Sequence, residues 1–308
     1  MNRQIYRSQV ALLLRIIPCV YKIEDFAVHG GTAINLFHSN MPRYSVDIDL
    51  TYIPIKDRDT SLVTINAHLL QLKKDIERVV PGIKITHKPE VLKLLCVYQG
   101  ATVKVEVNNI KRGIIEDCVI QSLCEAAQQD FSTMCKIRSV GYSQLYGGKI
   151  AAALSRQHPR DMFDFAHMKD KSFDAIRDGL LFNLASSDKP ILESLFPNPI
   201  DQTEALERQF AGMSDMSYSY SDYEQTRREL QEFVLRGLSN DDKAFLLSIE
   251  QGTPNWNLCS GGNWSHYPSI QWKQQNIHKL QKQNPVKYEK DFYHHFCIVL
   301  QSRDVGKG

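Results

Sequence analysis

The sequence predicts an α+β protein: a mixed β-sheet flanked by helices, followed by a mainly helical C-terminal domain. Two observations predict it. Up to about residue 140, short apolar runs with period 2 alternate with longer runs of helical spacing. Beyond that point strand signals largely stop and helical spacing continues. The expected division is therefore a sheet domain over 1–138 and a helical domain over 139–308.

Element by element, the N-terminal stretch reads as an amphipathic helix, because Arg15 interrupts its apolar run and no small-residue cleavage site follows. Phe26–Val28 is a short strand ending at Gly30-Gly31, and Thr32 to Phe37 starts a helix. Val46–Ile53 alternates as a strand. Leu62, Ile65, Leu69, Leu72, Ile76 and Val79 then mark one face of a helix over 61–80. Strands at 91–98 and 102–108 flank a Gln99-Gly100 turn. Helices follow over 142–156, 160–169, 223–237, 240–250 and 269–283, with another over 289–301. Ser239 caps the fourth of these, with Asp242 in its first turn. Residues 213–222 and 252–268 read as loops, and the tryptophans of 256–272 as packing residues.

Composition excludes several classes of protein. Hydrophobic residues make up 43% and charged residues 23%, which rules out wholesale disorder. A net charge of +2 excludes a histone-like binder but leaves room for a local basic patch. No apolar run is long enough to span a membrane. The seven cysteines form no C-x-x-C pair, so reduced thiols and a cytoplasmic location are expected.

The chemistry concentrates in two stretches. In the first, Gly30-Gly31-Thr32 precedes Arg43-Tyr44-Ser45-Val46-Asp47-Ile48-Asp49-Leu50. Alternation puts Ser45, Asp47 and Asp49 on one strand face and Val46, Ile48 and Leu50 on the core face. Two carboxylates at i and i+2 repel each other unless a cation sits between them. Hard oxygen donors of this kind suit Mg²⁺, which completes its shell with water and substrate phosphates. A glycine turn between strand and helix presents backbone N–H groups to phosphate oxygens, and Thr32 adds a hydroxyl. Glu106, in Lys104-Val105-Glu106-Val107-Asn108, reaches the same site if its strand neighbours the Asp47 strand; otherwise it is a surface charge.

The second stretch runs from Tyr146-Gly147-Gly148-Lys149 to Pro159-Arg160-Asp161-Met162-Phe163-Asp164. It is not a P-loop, because Ser143 and Ile150 stand where the motif needs Gly and Ser or Thr. Arg156 lies seven residues after Lys149, on the same helix face. Lys149, Arg156 and Arg160 can bind a triphosphate, or else pair with Asp161 and Asp164. His29 either lines the site or is packed, and His294-His295 lacks a partner at ligand spacing.

Together these motifs resemble the AbiEii/AbiGii-type nucleotidyltransferase toxins of the DNA polymerase β-like nucleotidyltransferase superfamily. Ser269-Ile270-Gln271-Trp272-Lys273 through Asn284-Pro285 is similar to that family's C-terminal helix. The resemblance implies a nucleotidyltransferase-type sheet and an enzyme that works as the toxin of a toxin–antitoxin or abortive-infection pair. It implies transfer of a nucleotide from a nucleoside triphosphate, with Mg²⁺ or Mn²⁺, to an RNA 3′ end, that of tRNA, which blocks translation. An antitoxin partner is implied, and no membrane.

Carried over by position, Gly30, Gly31, Thr32 and Ser45 would hold the triphosphate, with Arg156 and Arg160. Asp47 and Asp49 would hold the metal, with Glu106 where the superfamily shows Asp. Lys149 would contact phosphate, and Asp164, rather than Asp161, would be the essential acid of the helical side. His29 departs from the residue usual at its position. Three alternatives remain: a small-molecule or protein hydroxyl as acceptor, a non-catalytic nucleotide-binding module, or a phosphotransferase that modifies a partner. The intact Ser45, Asp47 and Asp49 set argues against the second.

Overall fold

The computed structural model describes residues 2–290. The first helix, α1 (Asn2–Tyr21), carries Pro18 within it and buries Leu13, Ile16 and Ile17. The strands are β1 (Phe26–His29), β2 (Asp47–Tyr52), β3 (Lys84–Lys88), β4 (Lys93–Tyr98), β5 (Ala101–Val107), β6 (Val119–Ser122) and β7 (Lys136–Ser139). They form one mixed seven-stranded sheet in the order β3-β4-β5-β2-β1-β7-β6. Helix α2 (Gly30–Ala33), extended by a π turn over Ile34–His38, links β1 to the loop before β2. Helix α3 (Arg58–Val79) is capped by Asp57, which accepts from the Thr60 N–H, and packs with α1 on one sheet face.

Alternation is clean on the central strands. Ile48, Leu50, Val103, Val105 and Leu94 are fully buried toward those two helices. The expected face of α3 holds through Ile65, Leu69, Leu72 and Ile76. Val79 departs from it, being 45% exposed, because the chain turns out of the helix there and Val80 enters the core instead.

From Tyr142 onward every described element is helical: α4 (Glu125–Phe131) precedes β7, and α5 (Tyr142–Arg156), α6 (Pro159–Ala166), α7 (Phe173–Ala185) and α8 (Ile191–Leu195) follow it. The short α9 (Thr203–Ala205) leads to α10 (Tyr220–Gly237), α11 (Asn240–Glu250) and α12 (Pro268–Gln283). Ser219 and Ser239 both close capping boxes, with Asp222 and Asp242. Residues 285–290 are helical, and the rest of the helix expected over 289–301, with His294-His295, lies outside the described residues. Trp264 is buried against Phe182 and Phe245, whereas Trp272 is 48% exposed.

Several elements depart from expectation. The helix after β1 begins at Gly30, two residues before Thr32. Strand β4 starts at Lys93, because Pro89–Val91 form a 3-10 turn. The strands β3, β6 and β7 and helices α4 and α7 carry no sequence signal strong enough to have been read. β6 and β7 have four residues each, too few to set a period. Helix α7 is apolar nearly all round, so it shows no amphipathic stripe.

Helices α5 and α7 meet at glycines. A Cβ on Gly147 would strike the Leu180 backbone, and one on Gly179 would strike the Ser143 carbonyl. Gly179→Ala is therefore expected to cost about 1–3 kcal/mol through overpacking. Urea denaturation measures this as a lower midpoint at unchanged slope.

Candidate active site

The site grows from the glycine turn after β1. Gly30 has φ of +73°, a conformation that glycine adopts at low cost. A Cβ there would lie 2.6 Å from Asp49 Oδ2, so the missing side chain lets the carboxylate approach the turn. A Cβ on Gly31 would lie 2.9 Å from both Arg43 Nη2 and Ser45 Oγ. Thr32 Oγ1 donates to the Asp47 carbonyl at 2.5 Å and lies 3.1 Å from Ser45 Oγ. Thr32 and Ser45 are buried, so they tie the turn to the start of β2.

Sheet register then places the acids. β1 pairs antiparallel with β2, setting His29 opposite Asp49. β2 pairs parallel with β5, setting Asp47 opposite Lys104 and Asp49 opposite Glu106. Asp47 and Asp49 are half-buried on the open face of the sheet. Burial pushes the Asp47 carboxyl above its ordinary range; Lys104, 3.4 Å away, opposes this and Asp49 adds to it. The β5 strand does neighbour β2, but the Glu106 carboxylate is held by Lys93 at 2.8 Å. His29 Nδ1 lies 3.0 Å from Thr51 Oγ1, and burial holds the imidazole pKa below its ordinary value.

The helical side contributes a buried ionic cluster. Asp164 accepts from Arg43 Nε at 2.7 Å, Arg43 Nη2 at 2.6 Å and Asn35 Nδ2 at 2.9 Å, and Lys149 Nζ is 2.8 Å away. Asn35 Nδ2 also donates to the Gly31 carbonyl at 3.0 Å, so Asp164 is coupled to the glycine turn itself. Asp161 pairs with Lys149 at 2.8 Å and Arg156 at 2.5 Å, rather than with Arg160. Burial alone would raise both aspartate pKa values, but the adjacent cations outweigh it and hold both below the usual carboxylate range. Burial opposes the Lys149 charge, and the two aspartates overcome it. The cluster thus sets three cations against two carboxylates. Arg160, near Asp47, forms no ion pair among the described residues.

Some of these parts face one cleft between the sheet and α5, whereas Thr32, Ser45, Asp47, Glu106, Arg160, Asp161 and Asp164 are not among its lining residues. Gly30, Gly31 and Asp49 line one wall, with Lys149 and Arg156 opposite. Sequence reasoning missed three residues there or behind it. Lys111 lines the cleft, donates to Asn183 Oδ1 at 3.1 Å and has its pKa lowered by burial. It follows β5 with no motif around it. Arg43 and Asn35 were also unassigned. Arg43 stands in the quoted motif, and a basic residue four positions before Asp47 was the available signal.

The donor chemistry suits one divalent ion. Asp47 and Asp49 could supply two hard oxygen ligands, Asp49 beside a turn kept open by the missing Gly30 Cβ. Among the described residues no group of three or more His, Cys, Asp or Glu side chains is arranged to hold a metal. The remaining donors would be water and phosphate oxygens, which is the usual manner of Mg²⁺.

Compared with known protein families, residues 11–276 match the one described as "Nucleotidyl transferase AbiEii toxin, Type IV TA system". Among solved structures, the chain is similar to MenT4, a nucleotidyltransferase toxin from Mycobacterium tuberculosis H37Rv. The TM-score is 0.55 at 11% identity, covering 87% of this chain and 91% of that one. At that identity the likeness concerns the fold. No curated protein matches the chain.

Removing one member of a buried ion pair strands its partner's charge. Arg43→Met is expected to cost about 3–5 kcal/mol in chemical denaturation. The aspartates, with folded pKa values depressed, stabilise the fold fully above about pH 4 and lose that contribution as pH falls below it. Stability below pH 4 should therefore fall more steeply in the wild type than in an Arg43→Met/Asp164→Leu variant.

Proposed function

The chain belongs to the nucleotidyl transferase AbiEii toxin family of type IV toxin–antitoxin systems, and from that premise we propose what it transfers and to what. It moves a nucleoside monophosphate from a triphosphate to the 3′ hydroxyl of an RNA, that of a tRNA, and so blocks translation until an antitoxin counters it. The work is done in the cytoplasm, where both substrates occur. No helix among the described residues is long and apolar enough to cross a membrane.

One observation carries the reading: Asp49 and the glycine turn face Lys149 and Arg156 across a single cleft, with Asp47 two residues earlier on the same strand. The triphosphate lies along the cleft. The backbone of Gly30 and Gly31 holds one end of it, and the buried Thr32 and Ser45 brace that turn from behind. Arg156, whose side chain is 62% exposed, and Lys111 meet the leaving pyrophosphate oxygens from the other wall. Arg160 stands near Asp47, outside the cleft lining. Lys149 adds its field from the floor, its position fixed by Asp161 and Asp164.

Asp47 and Asp49 would hold the divalent ion, Mg²⁺ or Mn²⁺, which when bound supplies charge neutralisation at the phosphoryl oxygens. The acceptor 3′ oxygen attacks the α-phosphorus as the bond to the β-phosphate oxygen breaks and pyrophosphate leaves. Catalysis of this kind rests on positioning and preset electrostatics rather than on covalent help from the protein. Asp164 acts through Arg43, Lys149 and Asn35 and is a positioning residue.

Asp47→Ala is expected to lower incorporation of labelled nucleotide into RNA by at least about a hundredfold. Its unfolding midpoint should stay near that of the wild type. Chelation by EDTA should abolish incorporation, and Mg²⁺ or Mn²⁺ should restore it. Unchanged incorporation by Asp47→Ala would sink the assignment.

A further inference from the structure

We propose that the open face of the outer sheet, from β3 to β2, is a docking track for the single-stranded end of the acceptor RNA. This rests on the nucleotide-transfer reading above and extends it to the surface that binds the acceptor.

Over β3, β4 and β5 the sheet has one buried face and one face of exposed and half-buried residues. Helices α1 and α3 pack against β3, β4 and β5 from one side, and His87 reaches Asn66 of α3 on that side at 2.9 Å. Alternation sends Lys84, Thr86 and Lys88 of β3 the other way, and all three are exposed. Register then continues this face inward. Lys88 pairs with Lys93, Lys93 with Glu106, and Glu106 with Asp49. A second row runs from Thr86 through Leu95 and Lys104 to Asp47. Each row crosses three strand gaps, about 14 Å at ordinary strand spacing, and ends at the carboxylate pair.

Charge along the track is polarised. Lys84 and Lys88 form no ion pair among the described residues, whereas Lys93 and Lys104 are drawn to Glu106 and Asp47 nearer the cleft. Lys88 and Lys93 stand directly opposite each other on neighbouring strands; Glu106 compensates Lys93, and Lys88 is left without an ion pair among the described residues. Lysines on an edge strand also guard against strand addition, and Lys84 and Lys88 alone would be read so. That role does not require the series to continue through Lys93 and Lys104 to the acids. Half-buried Leu95 and Val97 between the lysines offer an apolar surface for sugars and bases. Cations on three successive strands with apolar ground between them suit a phosphodiester chain whose 3′ hydroxyl ends at Asp47 and Asp49.

The test compares the wild type with a Lys84→Glu/Lys88→Glu variant, both residues lying outside the catalytic cleft. A fluorescein-labelled ten-nucleotide oligoribonucleotide reports binding by anisotropy across a salt series. Calorimetry with MgATP, MgCTP, MgGTP and MgUTP reports nucleotide binding, and labelled triphosphates report extension. The expected result is about tenfold weaker oligonucleotide binding and a log-affinity against log-salt slope shallower by about 1.4, as for two lost phosphate contacts. Nucleotide binding should be unchanged, and any loss of extension should fall on KM for RNA rather than kcat. Equal oligonucleotide affinity in the two proteins would overturn the proposal, as would a variant that loses only capture by the operon's antitoxin. If the oligonucleotide binds through the lysines but is never extended, the track stands and the transfer reading fails.

Discussion

Asp164 is a carboxylate with no exposed side-chain surface, and it is tolerable there only because Arg43, Lys149 and Asn35 all donate to it or lie within ion-pair distance. Burying such a group alone would cost several kcal/mol. The partners come from different parts of the chain: Asn35 from the π turn after β1, Arg43 from the loop before β2, Lys149 from α5. This cluster fixes how α6 meets the sheet. Through Asn35 and the Gly31 carbonyl it also fixes the turn that faces the cleft. An apolar trio of the same volume would pack as firmly. The ionic version adds direction: hydrogen bonds aim Arg43 and Lys149, and the surplus charge remains on the cleft side, at Arg156.

The same principle organises the sheet end of the site. Strand register brings Asp47 and Asp49 beside Glu106 and Lys104; Lys93 of β4 compensates Glu106, and Lys104 of β5 partly compensates Asp47. Among the described residues Asp49 is left without an ion pair, while Asp47 and Glu106 each have one. The lowered pKa of Lys111 fits this arrangement. Burial costs it some of its charge preference, and an anionic ligand in the cleft would restore it.

Much of this was legible before any coordinates. Strict alternation in Val46–Leu50 gave the faces of β2, and the spacing of Ile65, Leu69, Leu72 and Ile76 gave α3. The co-occurrence of Gly30-Gly31 with Asp47-Ile48-Asp49 pointed to the family and to the candidate site. What escaped was set by tertiary context. β6 and β7 are too short to show a period, and α7 is too buried to show a stripe. The capture of Glu106 by Lys93 depends on a register across β4 and β5 that no local pattern encodes. Asn35 and Lys111 take part through position alone, and their residue types announce nothing.

A crystal structure with Mg²⁺ and a non-hydrolysable nucleoside triphosphate tests the central claim most directly. It should show the phosphates between the Gly30-Gly31 turn and Arg156, with the ion on Asp47 and Asp49 and the Arg43–Asp164 contact intact. A triphosphate bound outside this cleft, or an ion held by other residues, would contradict the account.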